Sequence, residues 1–171
     1  MKTKEVRTFG TEALNVPLHV MNIKRRELQP HDVEMEILYC GICHSDLHQI
    51  HNDFGMTMFP IVPGHEIVGK VTRVGEHVTN FKIGELAAIG CIVDSCQECD
   101  NCHDGEEQFC DHFPTFSFNS PDKYLGGATY GGFSETYVCE DRYVLHEFDQ
   151  PALGQFIAGI GFVGGYAIPN F

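Results

Sequence analysis

Apolar and polar residues alternate along several stretches of the chain, with the period of two that is typical of strands. The clearest stretch is DVEMEILYC (32–40), where every second residue from Val33 to Tyr39 is apolar, which predicts a half-buried strand that ends at Gly41. Weaker alternation or apolar runs predict further strands at 4–9, 16–28, 66–75, 85–93 and 133–145, the last with a turn at 140–141.

The rest of the chain divides into a short helix, a long loop region and a distinct tail. Residues 43–50 can form a short helix with Ser45 or Asp46 near its start. Residues 96–132 are rich in Gly, Pro, Asn, Ser and Cys, which favours loops. The sequence shows no long helical pattern and no internal repeat, so the predicted fold class is mainly β, a folded-over barrel or sandwich. We assign residues 1–150 to one domain and 151–171 to an apolar, Gly-rich tail.

Composition narrows the range of partners and compartments. The chain has 171 residues, of which 43% are hydrophobic, enough for one domain with a real core. Its 24 acidic and 11 basic residues give a formal net charge of −13, which would repel nucleic acid and anionic membrane, so neither is predicted as a partner. The start, MKTKEVRTFG, has no apolar signal-peptide core, and no run approaches the ~18 apolar residues of a membrane span. We expect a cytoplasmic protein with reduced thiols.

Four of the eight cysteines lie in one short run, CQECDNCHDGEEQFC, with the spacing C-x2-C-x2-C-x7-C. Four thiolates can close a tetrahedral shell around Zn²⁺ with bonds of ~2.3 Å. An iron–sulfur cluster is an alternative for such a run, and so are four loose thiols in an acidic loop. The pattern favours structural zinc, which would hold the loop without catalysing a reaction because a closed shell leaves no open position. The ligands would be Cys96, Cys99, Cys102 and Cys110.

A second group of candidate metal ligands comes from two separate segments. The segment CGICHSDLH (40–48) supplies Cys43, and the segment PGHEIVG (63–69) supplies His65 and Glu66. A thiolate, an imidazole and a carboxylate from different elements can surround one metal ion and leave a position open.

Polar residues of the predicted helix would assist this second group. Asp46 is well suited to hold a ligating imidazole from behind. Ser45 and His48 could pass a proton to solvent. The cysteines of strand-like segments, Cys40, Cys91 and Cys139, are interpreted as core residues, with Cys40 as an alternative ligand.

These motifs resemble the catalytic domain of zinc-dependent alcohol dehydrogenases, in the medium-chain dehydrogenase/reductase group and its cinnamyl-alcohol-dehydrogenase-like branch. Two independent metal motifs occur in the order of that family, and the resemblance covers about residues 5–148. It implies a GroES-like, partly open β-barrel with short helices and a zinc-bound loop. It also implies reversible oxidation of alcohols to aldehydes or ketones with NAD(P). The segments that carry it are YCGICHSDLH (39–48), PGHEIVGKVTRVGEHV (63–78), GCIVDSCQECDNCHDGEEQFCDH (90–112) and GGFSETYVCEDRYVL (131–145).

The resemblance also implies a role for single residues. Cys43 and His65 would ligate the catalytic zinc, with Glu66 as an alternate ligand or close neighbour. Asp46 would lie behind His65, and the run of four cysteines would hold the structural zinc. Ser45 would touch the alcohol oxygen, and His48 would lie further along the proton relay.

The sequence departs from the family after residue 145. Family members carry a further zinc-ligating cysteine shortly after this point and then a Rossmann domain, whereas HEFDQPALGQFIAGIG (146–161) contains no cysteine. GIGFVGG (159–165) fits the dinucleotide fingerprint G-x-G-x-x-G. A working fingerprint is followed by a helix and by an acidic residue about 20 positions on, whereas the six residues after it include Pro169 and no acidic residue. We interpret this pattern as a remnant or a chance match that binds no dinucleotide, so the chain has no intact NAD(P) site.

These departures lead to an expectation about activity. The chain should keep structural zinc, hold the catalytic-type zinc weakly or not at all, and be inactive alone. Three hypotheses follow: a dehydrogenase whose Rossmann domain comes from another chain, a catalytically silent zinc-binding domain, and a scaffold or interaction module. In the third, unpaired strand edges would recruit a second copy or another chain.

Overall fold

The computed structural model describes residues 2–146 and the backbone of residues 168 and 169. Within this part of the chain, antiparallel β-sheet dominates and helices are short, which confirms the mainly β prediction. The strands are β1 (Thr3–Gly10), β2 (His19–Arg26), β3 (Asp32–Cys40), β4 (Ile67–Val74), β5 (Leu86–Ile89), β6 (Ile92–Asp94), β7 (Thr115–Phe116), β8 (Thr136–Glu140), β9 (Val144–His146) and β10 (Ile168–Pro169). The α-helices are α1 (His44–Ile50) and α2 (Asp100–His103), and Glu107–Phe109 and Asp141–Tyr143 form single 3₁₀ turns.

β3 is the central strand of the main sheet, whose order is β10-β3-β4-β5-β9. One edge of β3 pairs with β4, and the other edge is shared by β8 and β10. The β3–β4 register shifts at Glu34/Met35 and again at Ile37/Tyr39. Such irregularities increase the local twist and curl a sheet towards a barrel. β1 and β2 form a separate antiparallel pair, as do β6 and β7.

Both faces of β3 are covered over residues 32–35, although its sequence alternates, whereas Glu36 and Tyr39 are exposed. Val33 and Met35 are fully buried in the hydrophobic core, as the alternation predicts. The acidic residues between and before them are buried as well, because each meets a cation: Lys4 Nζ donates to Glu34 Oε1 at 2.7 Å, and Arg26 forms a two-bond ion pair with Asp32. A buried carboxylate is tolerated when it is paired in this way.

The prediction of one strand over 85–93 is wrong. β5 ends at Ile89, and β6 begins at Ile92 and pairs with β7 instead of continuing along β4. Gly90 lies at the break between the two strands. Cys91 is therefore exposed, contrary to its interpretation as a core residue, whereas Cys40 and Cys139 are buried as predicted.

The tail interpretation falls mostly outside the described residues. These exclude 147–167 and 170–171, and with them GIGFVGG (159–165) and most of 146–161. Ile168–Pro169 is described as β10, which pairs with Tyr39 and Cys40 near the end of β3. None of the helices in the described ranges has the length and apolar character needed to cross a membrane.

Candidate metal centres

Helix α1 begins next to Cys43, which occupies the N-cap in an extended conformation with φ −100° and ψ 156°. The Asp46 carboxylate reaches back from the first turn and accepts a hydrogen bond from the Cys43 backbone N–H, 2.8 Å from Oδ2. Cys43 rather than Ser45 or Asp46 thus starts the helix. An acidic residue in the first turn also suits the positive end of the helix dipole. The backbone that carries the Cys43 thiol is fixed by this bond.

The segment 62–66, which carries His65 and Glu66, is held by backbone hydrogen bonds to residues 131–133. The amides of Gly131, Gly132 and Phe133 donate to the carbonyls of Val62, Gly64 and Pro63 at 2.7, 2.8 and 3.0 Å. The Gly64 position requires glycine on two grounds. Its φ is +103°, and a Cβ there would lie 2.8 Å from Cys40 Sγ and from a ring carbon of Phe133.

Asp46 joins these two segments. Its Oδ1 accepts a hydrogen bond of 2.9 Å from the Gly64 N–H and lies 3.3 Å from His65 Nδ1. This contact has the distance of an ion pair but does not meet the geometry of a hydrogen bond. The carboxylate is 1% exposed, so it interacts with His65 and the two backbone donors and hardly with water. Because the Asp46 carboxylate faces Nδ1, the other ring nitrogen of His65, Nε2, remains available to bind a metal ion.

Cys43, His65 and Glu66 come together as the sequence analysis expects. One ligand atom from each lies within 4.8 Å of the other two. His65 Nδ1 and Glu66 Oε2 are buried atoms without a hydrogen-bond partner among the described residues. An unpaired buried carboxylate oxygen is costly unless a cation or donor meets it. Donor types, spacing and this unpaired oxygen all fit a divalent metal ion such as Zn²⁺.

The electrostatics of the three groups are mutually dependent. Burial raises the pKa of Glu66, partly offset by His65. Burial lowers the pKa of His65, but Asp46 and the Cys43 thiol outweigh it and bring the pKa to about 9. Burial acts to raise the pKa of Cys43, yet hydrogen bonds from Ser45 and the nearby imidazole leave it lowered. This direction favours the thiolate form that binds metal.

The two predicted proton-relay residues are placed differently. Ser45 Oγ lies 3.5 Å from Cys43 Sγ and faces the same cavity as His65. His48 is half-buried near the surface, and its Nδ1 is 2.7 Å from Asp53 Oδ2. The structure therefore brings Ser45 to the ligand group and places His48 at the surface, paired with an acidic residue.

An open cavity of about 220 Å³ adjoins the ligand group. The His65 ring stacks on Phe118, with centroids 5.7 Å apart and planes at 20°. Cys91 also lies in the wall of this cavity. The sequence did not indicate this position, because the break between β5 and β6 leaves no clear periodic pattern. The remaining wall residues are Ser45, Gln49, Phe116, Ser117 and Asn119.

The second predicted site, the four-cysteine loop, is also assembled. The sulfur atoms of Cys96, Cys99, Cys102 and Cys110 all lie within 4.8 Å of one another, and all eight cysteines of the chain are free thiols. Cys96 Sγ and Cys102 Sγ are 3.8 Å apart. A tetrahedral ion with bonds of ~2.3 Å places its sulfur ligands about 3.8 Å apart. The four thiols can therefore hold one metal ion with little rearrangement.

Backbone donors stabilise one corner of this site. The amides of Glu98 and Cys99 each point to Cys96 Sγ at 3.4 Å. These two amides lower the pKa of Cys96 to about 7, which favours its thiolate near neutral pH. The loop is closed by Asn101, whose side-chain amide donates to the Phe109 carbonyl at 2.8 Å and to Asp111 at 3.1 Å.

Comparison with known proteins places this arrangement among dehydrogenases. Residues 29–149 match the family model described as the alcohol dehydrogenase GroES-like domain. The aldehyde reductase YahK of Escherichia coli K12 is 48% identical over 141 residues, which span 82% of this chain and 40% of that protein. A cinnamyl alcohol dehydrogenase structure from Sorghum bicolor superposes with a TM-score of 0.82 at 37% identity, covering 85% of this chain and 41% of that one.

A second solved structure agrees. The crystal structure of CAD from Helicobacter pylori, complexed with NADP(H), matches with a TM-score of 0.80 at 33% identity over 85% of this chain and 42% of that chain. The chain therefore spans about two fifths of the length of the relatives that it matches. The expected GroES-like fold and family resemblance are confirmed.

Proposed function

Because the chain belongs to the family of alcohol dehydrogenase GroES-like domains, we propose that it is the zinc-binding catalytic part of an alcohol dehydrogenase. The reaction would be the reversible oxidation of an alcohol to an aldehyde or ketone. The observation that carries the proposal is the unpaired, buried Oε2 of Glu66 beside Cys43 and His65. A cation at this point would satisfy the carboxylate oxygen and face the cavity where a substrate can enter.

Cys43, His65 and Glu66 would hold the metal, and each has a defined support. Asp46 fixes the backbone of Cys43 and stands behind His65 Nδ1, so the imidazole presents Nε2 in one orientation. Zinc bound here would supply Lewis acidity that polarises a substrate oxygen. Ser45 lies beside Cys43 on the cavity wall and is positioned to exchange a proton with a substrate hydroxyl. His48 would accept that proton only after an intermediate carrier, because it lies at the surface with Asp53.

We assign the four-cysteine loop to a second, purely structural zinc ion. Four thiolates complete a tetrahedral shell, so no position remains for substrate. The loop buries few side chains: α2 is only four residues long with Cys102 as its buried residue, and the Glu107–Phe109 turn contains no buried residue. The metal would replace the missing hydrophobic core of this segment.

The hydride acceptor in this proposal is NAD(P), bound by a nucleotide-binding unit that the described residues do not form. Hydride transfer requires the reacting carbons to be held ~3–3.5 Å apart. We therefore propose that the 171-residue chain alone is inactive and that turnover needs this unit, whatever chain carries it. An absorbance assay for NAD(P)H with aliphatic and aromatic alcohols tests this part, and metal-dependent turnover by the chain alone would contradict it.

Metal counting in matched cysteine variants tests the assignment of the two sites. The chain should bind one equivalent of Co²⁺ tightly at the four cysteines and a second, weaker equivalent at Cys43. Cys99→Ala should abolish the tight equivalent, and Cys43→Ala should abolish only the weak one. Cys139→Ala is the control, since Cys139 is buried on β8 and outside both ligand groups. Identical titrations of Cys43→Ala and the unsubstituted chain would overturn the catalytic-type site.

A further inference from the structure

A buried chain of hydrogen bonds connects the four-cysteine loop to the main sheet. Tyr143 Oη donates to Ser95 Oγ at 2.8 Å, and Cys102 Sγ lies 3.2 Å from the same Ser95 oxygen. Ser95, Cys102 and Tyr143 are 6%, 8% and 9% exposed, so water cannot readily substitute for any of these bonds. Tyr143 lies in the turn between β8 and β9, and β9 pairs with β5 of the main sheet.

Metal binding at Cys102 fixes the donor and the acceptor of each hydrogen bond in this Tyr143–Ser95–Cys102 series. With a free thiol, Cys102 donates its S–H to Ser95 Oγ. A metal-bound thiolate has no proton and can only accept, so the Ser95 hydroxyl must turn and donate to it. The Ser95 lone pairs then accept from Tyr143, and each bond strengthens the next because both donors point towards the negative charge.

We propose that Ser95 and Tyr143 are positioning residues for the structural metal, which they hold by donating hydrogen bonds in series to the Cys102 thiolate. The proposal rests on the assignment of the four cysteines as a metal site. Cys96 has its own donors in the amides of Glu98 and Cys99. Cys102 is more buried than Cys96 and lies beside the Ser95 hydroxyl, so two of the four sulfurs have donors of their own.

The same series couples metal occupancy to the body of the domain. Gln97 adds a parallel link, because its side-chain amide donates to Glu140 Oε2 at the end of β8, at 2.7 Å. Ser95 and Gln97 flank Cys96, so they fasten the start of the loop to the β8–β9 connection. Loss of the Ser95 hydroxyl should weaken metal retention and leave the sulfur of Cys102 with higher electron density.

Single-oxygen deletions test the proposal in the full chain loaded with Co²⁺ or Zn²⁺. Ser95→Ala should speed zinc release to a chelator about 10–100-fold, the range for lost outer-shell contacts. It should also move the sulfur-to-cobalt charge-transfer band to lower energy, because the thiolate loses a donor. Tyr143→Phe should shift both readouts in the same direction by less. Thr136→Val is the control: Thr136 Oγ1 is buried and has no hydrogen-bond partner among the described residues.

The outcomes separate this inference from the metal site itself. A wild-type chain that binds no cobalt tightly would overturn the four-cysteine site and the inference with it. Tight binding with a Ser95→Ala band and release rate equal to those of Thr136→Val would overturn only the role of Ser95. If Ser95→Ala does not fold, Tyr143→Phe decides, and wild-type values for its band and release rate would refute the series.

Discussion

The backbone N–H of Gly64 donates a hydrogen bond of 2.9 Å to the side chain of Asp46, eighteen residues earlier in the chain. The other oxygen of the same carboxylate accepts from the Cys43 amide. One buried side chain therefore sets the distance between the segment that carries Cys43 and the segment that carries His65 and Glu66. The geometry of the catalytic-type site therefore depends on this bridge as well as on the ligands.

Asp46→Asn should impair the catalytic-type site without affecting the four-cysteine site. The amide has one acceptor oxygen in place of two, so one of the two backbone donors loses its partner, at a cost of about 1–3 kcal/mol in the free energy of unfolding. The weak equivalent of Co²⁺ should bind at least tenfold less tightly. Asp53→Asn is the matched control, because Asp53 is an exposed carboxylate paired with His48. Equal cobalt titrations for the two variants would contradict the bridging role.

Gly64→Ala should destabilise the domain more than Gly55→Ala. Both glycines have positive φ, +103° and +71°, so both substitutions introduce backbone strain. A Cβ at Gly64 would meet Cys40 Sγ at 2.8 Å, whereas a Cβ at Gly55 meets nothing within 4 Å. We expect Gly64→Ala to cost about 1–3 kcal/mol beyond Gly55→Ala, the usual penalty for overpacking. Denaturant unfolding of both variants measures the difference, and equal midpoints would show that the turn can relax.

Chelation should expose the four-cysteine loop to proteolysis. Residues 96–112 contain no lysine or arginine, so the suitable probe is a protease that cleaves after glutamate, at Glu98, Glu106 or Glu107. Metal removal should speed cleavage there because loop order and metal binding are coupled. Cleavage after Glu12, an exposed residue far along the chain from the loop, gives the internal control and should not change. A chelated, metal-free chain whose loop still resists the protease would refute structural zinc.

Tyr143 should make stability fall at alkaline pH. Burial raises its pKa to about 12, although the Ser95 hydrogen bond acts in the opposite direction. An unfolded tyrosine ionises near pH ~10, so the native state favours the neutral phenol. The stabilisation is complete below about pH 10 and is lost as the pH rises towards 12.

The measurement compares Tyr143→Phe with the unsubstituted chain. Between pH 10 and 12, the free energy of unfolding of the variant should fall less steeply with pH than that of the unsubstituted chain. The two slopes should differ by at most the amount that corresponds to about one proton released on unfolding. Tyr39→Phe is the control, since Tyr39 is 38% exposed. Parallel pH profiles for Tyr143→Phe and wild type would exclude a buried phenol at this position.

Local patterns in the sequence determined much of this protein. The alternation in 32–40 predicted β3, and the spacing of Cys96, Cys99 and Cys102 predicted a compact thiol cluster, because neighbours separated by two residues can turn towards one ion in almost any loop. Motif order also identified the family, and the comparisons confirmed it. The ligand and proton-relay roles of single residues stay predictions.

Only the tertiary structure decided which distant segments of the chain come into contact. The break at Gly90 turns Cys91 from an expected core residue into part of the cavity wall, because β6 pairs with β7 rather than β4. Ser95 meets Tyr143 across 48 positions, and their contact has no local signature in the sequence. Spacing along a chain fixes contacts within a turn or a loop. Contacts between segments depend on sheet register and close packing, which only the complete fold of the described residues supplies.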